Sequence, residues 1–243
     1  MVNSTNSNAD SISEAEQAVI SGAIWEEFCD SLKETGKQIL RQEAPADAFT
    51  RAEGWRYLTR LTRIALDMHM ECADPDFPNF YRPSHETAKI GADNPDNYYE
   101  RAQINGNYDY KITGKRGTVP YLQFMTMGGG YGEDGKNECT GSIATSFSSD
   151  TDFELEADGS FVVWVSSEKK AGNWLPANSR SNTLLVRQTF MDRSNEQKAT
   201  ISIERVDAAA RPKPLRPETL ANNLRSTAAF VKGTATLFAD WSE

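Results

Sequence analysis

The chain contains 243 residues, of which 38% are hydrophobic, and its 26 basic and 35 acidic side chains give a net charge of −9 at pH 7. This composition is enough to build a globular core, and it argues against a nucleic-acid partner because binding to phosphate depends on clustered lysine and arginine. No run of consecutive apolar residues is long enough to span a membrane, and no signal peptide is visible. We therefore expect a cytoplasmic protein that does not bind membranes.

The N-terminal part of the chain predicts a short tail followed by two helices. Residues 1–12 are rich in Asn and Ser, which predicts a disordered tail. Ser13 and Glu16 form a capping-box pattern, and apolar residues at spacings of three and four follow until Pro45 ends the helix. A second helical pattern runs from Phe49 to Cys72. We therefore expect residues 13–72 to form an antiparallel helical hairpin that packs against the rest of the chain.

Residues 98–206 show the alternation that is typical of an antiparallel β-sandwich. The predicted strands are 98–104, 108–113, 120–126, 141–147, 151–157, 160–166, 184–191 and 199–206. Asn105 and Gly106 predict a hairpin between the first two strands, with a type I′ turn that needs positive φ at both central residues. A turn before residue 160 predicts a second hairpin, in which Phe153 and Leu155 face the core.

Residues 217–241 predict a C-terminal helix, because apolar residues from Leu220 to Phe238 recur at spacings of three and four. Together the elements predict an α+β fold, in which an antiparallel jelly-roll-like β-sandwich is flanked by the N-terminal helical hairpin and the C-terminal helix. We expect residues 13–243 to form a single domain.

Several segments resemble the family known as domain of unknown function 1214, whose members often stand beside a domain of unknown function 1254. The segments are NPDNYY (94–99) with YDYKITGKRG (108–117), DGSF (158–161) with NWLP (173–176), and LLVRQTFMD (184–192). The resemblance implies a jelly-roll-like β-sandwich and leaves the reaction open, because the family's activity is unassigned. Two helices occupy the place of the partner domain, so a site between paired domains is expected to be absent or rebuilt.

Signatures of cofactor-dependent chemistry are missing or incomplete. Residues from Gly130 to Lys136 have the spacing of a phosphate-binding loop, but Asn137 stands where Ser or Thr is required, and Glu133 and Asp134 would repel phosphate. We expect a flexible glycine loop there, able to cover a pocket. Two histidines and three widely spaced cysteines are too few for a typical zinc site or a disulfide framework. We expect no cofactor and no metal.

Polar and aromatic side chains along the chain could still act on a small molecule. The expected catalytic residues are His69, His85, Tyr110 and Asp192, and the expected substrate-binding residues are Arg101, Tyr121, Trp174 and Arg187. Imidazole titrates near neutrality and can serve as a general base. An arginine inside an apolar strand, such as Arg187, faces outward, pairs with a buried carboxylate, or binds an anion.

We hypothesise an enzyme without a redox cofactor that acts on a small, lipophilic or aromatic molecule by acid-base chemistry of the lyase, hydratase or isomerase type. The pocket is expected at one end of the sandwich or under the helices. The alternative is a non-catalytic β-sandwich module that binds a small molecule or a carbohydrate. A third interpretation is a scaffold or a homo-oligomer subunit, which a large apolar patch on the terminal helices would favour.

Overall fold

A computed structural model describes residues 12–130, 133–146, 153–208 and 211–242 of the protein. The predicted tail lies outside these residues except for Ile12. No described helix is both long enough and apolar enough to cross a lipid bilayer.

The N-terminal helices begin at the predicted capping box but are more broken than predicted. The Glu16 backbone N–H donates to Ser13 Oγ, and the Ser13 N–H donates to Glu16 Oε2 at 2.7 Å. The predicted first helix is divided at Gly22, whose φ of 82° is left-handed. The elements are α1 (Glu14–Ser21), α2 (Ala23–Thr35), a 3₁₀ turn (Gly36–Leu40), α3 (Ala48–Leu66) and a π-helical turn (Asp67–Glu71).

The C-terminal helix α4 (Pro217–Trp241) has the predicted bounds and organises the helical layer. Its Leu224 packs with Phe28 of α2, and its Phe230 packs with Leu61 of α3. The two N-terminal helical segments thus bury their apolar faces against α4. The N-terminal helices therefore pack against a later part of the chain, as predicted, although the first of them is divided into two segments.

The strands form two four-stranded sheets, which confirms the predicted α+β fold with a β-sandwich. They are β1 (Asn97–Gln103), β2 (Tyr110–Lys115), β3 (Tyr121–Gly130), β4 (Glu133–Ser146), β5 (Ser160–Ser166), β6 (Asn173–Pro176), β7 (Ser181–Thr189) and β8 (Thr200–Arg205). The first sheet has the order β1-β7-β3-β4, and the second has the order β6-β5-β2-β8. All pairs are antiparallel except β5 with β6, which is parallel.

The predicted hairpin at Asn105 and Gly106 is wrong, because β1 and β2 belong to different sheets. The turn there carries the chain from the first sheet to the second. Neither residue has positive φ, so the turn is not type I′. Gly106 is needed for a close approach instead: a Cβ at this position would lie 1.8 Å from the carbonyl oxygen of Asn178.

Of the second predicted hairpin, which precedes and includes β5, the turn is present but the first strand is not. Gly159 has a φ of 80°, and the Glu156 N–H donates to Ser160 O at 2.9 Å, so a turn precedes β5. Residues 153–157 nevertheless form no strand, and Leu155 is 44% exposed whereas Phe153 is buried. The strand β6 was not predicted. The expected glycine loop is also wrong over its described residues, since Gly130 ends β3 and Glu133 begins β4.

The sheets pack face to face, and the space between them is filled by side chains of both, including Leu122, Phe124, Val163 and Leu184. Since side chains alternate along a strand, the neighbours of these residues point to the opposite face of each sheet. On the first sheet that opposite face is covered by the helical layer, where Arg101 and Thr183 lie near Met68. Arg101, Thr183 and Arg187 lie on this covered face.

Candidate functional site

Two neighbouring clefts lie between the helical layer and the first sheet. The Arg187 cleft has a volume of about 270 Å³, and its walls include Ile90, Gly91, Asp93, Tyr99, Arg101, Met127, Asn137, Leu185, Arg187, Phe238 and Trp241. The His69 cleft has a volume of about 210 Å³, and its walls include Met68, His69, Arg101, Gln103, Gly130, Asn182, Thr183 and Phe230. Arg101 lines both clefts and therefore connects them.

The pairing of β1 with β7 brings the two arginines of the Arg187 cleft together. Arg101 lies opposite Leu185, and Arg187 lies opposite Tyr99. These positions share one face because they are separated by two residues along each strand. Arg101 and Arg187 are thus diagonal neighbours, which lie about 7–8 Å apart in an antiparallel pair.

Both guanidinium groups have unused hydrogen-bond donors. Arg101 is 8% exposed, and its Nη2 donates to Thr183 Oγ1 at 3.3 Å. Arg187 makes a long hydrogen bond of 3.5 Å from Nη1 to Gln123 Oε1. The Nε atom of each arginine is buried and has no hydrogen-bond partner among the described residues. Arg205 also has a buried Nε without a partner, but its Nη1 forms an ion pair with Asp76, whereas neither cleft arginine forms an ion pair within the described part of the chain.

His69 lies in the π-helical turn after α3, in which the Cys72 N–H donates to Asp67 O at 2.9 Å. Its Nε2 is buried and has no partner in the described part of the chain, and its ring packs edge-on against Phe230 at a centroid distance of 5.9 Å. Burial, together with the positive charge of Arg101, lowers the pKa of His69 to about 4. The imidazole is therefore neutral at pH 7.

Asp93 is the carboxylate in the wall of the Arg187 cleft, and sequence reasoning did not identify it. Its Oδ2 accepts a hydrogen bond from the Ile90 N–H at 3.1 Å, so its position is tied to the backbone of the same loop. Tyr57 donates to Ile90 O at 2.6 Å. The only signal in the sequence was an Asp three residues after Ile90, which is typical of an ordinary turn.

Tyr110 and Trp174 do not lie in these clefts, although we expected both at the site. Tyr110 is fully buried between the sheets, where its hydroxyl donates to Pro75 O at 3.0 Å and accepts from the Asn105 N–H at 2.7 Å. Trp174 is on the edge strand of the second sheet and donates from Nε1 to Ser166 O at 3.1 Å. Both side chains thus bond to the backbone of the sandwich.

The other three expected site residues also lie apart from the two clefts. His85 is in a loop, where its Nδ1 lies 3.3 Å from the Thr87 backbone nitrogen. Asp192 is an exposed turn residue that accepts a hydrogen bond from the Ser194 N–H at 2.9 Å. Tyr121 is at the start of β3, two residues before Gln123, and lines neither cleft. Of the expected residues, the structure brings together His69, Arg101 and Arg187.

Metal-binding side chains do not gather in the described residues: no group of three or more His, Cys, Asp or Glu there could hold a metal ion. The three cysteines are free, and Cys29 and Cys139 are exposed. The chemistry of the clefts therefore has to be read from their arginine, histidine and aspartate side chains.

Comparison with known proteins places the fold but not the activity. No family model and no curated protein matches the chain. It is similar to an uncharacterized protein from Burkholderia cenocepacia of known crystal structure, with 52% sequence identity and a TM-score of 0.89 over 93% of this chain. A Vibrio parahaemolyticus protein aligns over 46% of this chain and 31% of its own, at 16% identity and a TM-score of 0.33, too low to carry an argument. The chain spans 61% of the length of the Burkholderia protein, and over that part it has the same β-sandwich with flanking helices.

Proposed function

We propose that the protein binds a small organic molecule in the clefts between its helical layer and its first sheet, and acts on it by acid-base chemistry without a cofactor. One observation carries the proposal. His69 and Arg101 line one cleft, and Arg101 and Arg187 line the adjoining one. Their unused donor and acceptor atoms are buried, as is typical of sites that are completed by a ligand.

His69 and Arg101 would have different tasks in such a reaction. A neutral imidazole can take a proton from a carbon or oxygen atom of the substrate. The guanidinium of Arg101 would stabilise the negative charge that remains on the substrate after the proton has left. Return of the proton from His69 to another atom of the substrate would complete an isomerisation. In an elimination, the electron pair would instead form a double bond and expel a leaving group, which would take the proton from His69.

Binding without turnover is the second candidate function, and the pKa of His69 favours it. A general base works best when its pKa is near the working pH, and a histidine with a pKa of about 4 is a weak base at pH 7. In this case the same clefts would hold a ligand that the protein leaves unchanged.

The two functions can be separated by screening and turnover measurements on the same protein. A thermal-shift screen of small organic compounds identifies ligands through an increase in the melting temperature. Each ligand is then incubated with the wild type, with His69→Gln and with the control His85→Gln, and its consumption is followed by NMR. Consumption that is lost only in His69→Gln supports the enzyme, and binding without consumption supports the binding module. Binding that Arg101→Gln leaves unchanged would contradict the proposed site.

Three further expectations belong to this proposal. The residue blocks that resemble domain of unknown function 1214 support membership of that family. The three free cysteines support a cytoplasmic location, where thiols stay reduced. Exposed Trp25, Phe49 and Trp241 on the helices support self-association. Analytical ultracentrifugation over a range of protein concentrations tests the last of these.

A further inference from the structure

The Arg187 cleft combines an excess of positive charge with apolar walls. Among the described residues, two guanidinium groups, those of Arg101 and Arg187, line this cleft together with one carboxylate, that of Asp93. Apolar surface comes from Ile90, Leu185 and Phe238. A ligand that fits these walls has one negatively charged end and an apolar body.

The buried Nε donors of the two arginines have no acceptor among the described residues, and a ligand could supply one. A buried N–H group without a partner costs free energy, and the cost is larger when the group is charged. Neither arginine forms an ion pair with a carboxylate of the described residues, and the Asp93 carboxylate already accepts from the Ile90 N–H. The oxygens of a bound anion would supply the missing acceptors.

The geometry favours a carboxylate among the possible anions. A planar carboxylate matches the fork of donors on a guanidinium group, and diagonal neighbours on an antiparallel pair can converge on one such group. Its single negative charge equals the excess charge of the cleft. A phosphate dianion would exceed that charge, and Asp93 would repel it more strongly than it repels a carboxylate.

We propose that the ligand of the Arg187 cleft is an organic carboxylate with an apolar body, held by hydrogen bonds from Arg101 and Arg187 and packed against Ile90, Leu185 and Phe238. This inference rests on the proposed function, which assigns the ligand to these clefts. A bound carboxylate would have a second effect, which is to raise the pKa of His69. Its negative charge beside Arg101 offsets the positive charge that disfavours protonation of the imidazole.

The test uses pairs of probes that share one apolar body and differ only at the head group, which is a charged carboxylate or a neutral amide. The pairs are 3-phenylpropionate with 3-phenylpropanamide and hexanoate with hexanamide, titrated into the full chain. The chain has two histidines, so their ring protons give two sets of NMR signals, which His69→Gln assigns. We expect the acids to shift the His69 signals and to raise the melting temperature, and the amides to bind at least tenfold more weakly.

Variants of Arg187 then locate the charge that binds the acid. Arg187→Gln is expected to weaken binding of the acid by about ten- to a hundredfold and to leave binding of the amide unchanged. Arg187→Lys keeps the positive charge but not the forked donors of the guanidinium group, and we expect it to lose less affinity for the acid than Arg187→Gln. The matched control is Arg225→Gln, since Arg225 is on the exposed side of α4 and pairs with Glu27. The comparison of acid with amide on the wild type remains decisive if the Arg187 variants do not fold.

Each contrary result has a distinct meaning. An amide that binds as well as its acid while shifting the His69 signals would overturn the carboxylate and leave the proposed function intact. Inorganic phosphate that binds more tightly than the acids, and does so through Arg187, would also overturn the carboxylate. If no probe of either kind shifts the His69 signals or the melting temperature, both the inference and the proposed clefts fail.

Discussion

The guanidinium of Arg101 opposes protonation of the His69 imidazole, because both side chains line the same cleft and the imidazole is largely removed from water. These two effects lower the pKa of His69 from 6.5 to about 4. The unfolded chain therefore takes up a proton at His69 over a pH range in which the folded chain does not. This difference links the candidate site to the stability of the whole protein.

His69→Gln should change how stability depends on pH. The depressed pKa of His69 favours the folded wild type above about pH 6.5, and this advantage is lost as the pH falls toward 4. Relative to His69→Gln, the free energy of unfolding of the wild type should fall by on the order of 2–3 kcal/mol between pH 7 and pH 4. Urea unfolding across this range measures it. His85→Gln, at a more exposed histidine, should show a smaller difference, and equal pH profiles for wild type and His69→Gln would contradict the prediction.

Glu100→Gln should stabilise the protein at neutral pH. Glu100 is buried, and its Oε2 accepts from Gln188 Nε2 at 3.0 Å. Burial raises the pKa of Glu100, so its ionised form is unfavourable in the folded state, whereas a glutamine oxygen still accepts the hydrogen bond. We expect a gain of about 1 kcal/mol in the free energy of unfolding at pH 7, which disappears below about pH 4.

The exposed Glu204 of β8 provides the control for this prediction. Glu204→Gln should leave the stability within about 0.5 kcal/mol of the wild type. A loss of stability in Glu100→Gln would mean that attraction from Lys198 and Arg82 outweighs the cost of burial. Thermal unfolding at pH 7 and at pH 4 distinguishes these outcomes.

Gly91→Ala should disturb the wall of the Arg187 cleft. A Cβ at Gly91 would lie 2.0 Å from Cζ of Phe238, so the ring has to move. We expect a loss of about 1–3 kcal/mol in the free energy of unfolding and weaker binding of any ligand of this cleft. Gly130→Ala is the control for stability alone, because a Cβ there meets no described atom within 4 Å, whereas Gly130 itself lines the His69 cleft. Equal stability of the two variants in urea unfolding would show that Phe238 gives way at no cost.

Asn173→Ala should release the chain that precedes β5. The buried Asn173 side chain donates from Nδ2 to Glu154 O at 2.8 Å and to Val162 O at 2.9 Å, and it accepts from the Glu154 N–H at 2.7 Å. Loss of these bonds should cost about 2–4 kcal/mol. Amide hydrogen exchange should accelerate at Glu154. Asn222→Ala, on the exposed side of α4, should change neither quantity, and unchanged exchange in Asn173→Ala would contradict the prediction.

Local sequence was sufficient where neighbouring residues decide the structure. The bounds of β5 and α4 agree with their predicted bounds, since alternation and helical spacing are properties of a short segment. The turn at Gly106 was wrongly interpreted because its role depends on Asn178, which lies far along the chain. The strand β6 was missed because four residues carry too little pattern to distinguish a strand from a loop.

The sequence allowed some residues of the candidate site to be named, but it did not show where in the fold they meet. Arg101 and Arg187 were identified because an arginine within an apolar strand needs a partner. Their meeting depends on the pairing of β1 with β7, and the cover over them depends on α4. Tyr110 was expected at the site but lies between the sheets, and its place was not predictable because a buried tyrosine that bonds to the backbone has the same sequence pattern as one that lines a pocket.

The interleaving of strands between the two sheets has a kinetic consequence. β1 pairs only with β7 among the described strands, and β2 pairs with β5 and β8, so each strand forms its ladders with strands that come much later in the chain. Contacts between residues so distant in sequence close slowly, on the order of milliseconds to seconds in sandwich proteins. The sandwich is therefore expected to consolidate late, after the helices have formed locally and while its strand edges are still unpaired and prone to aggregation.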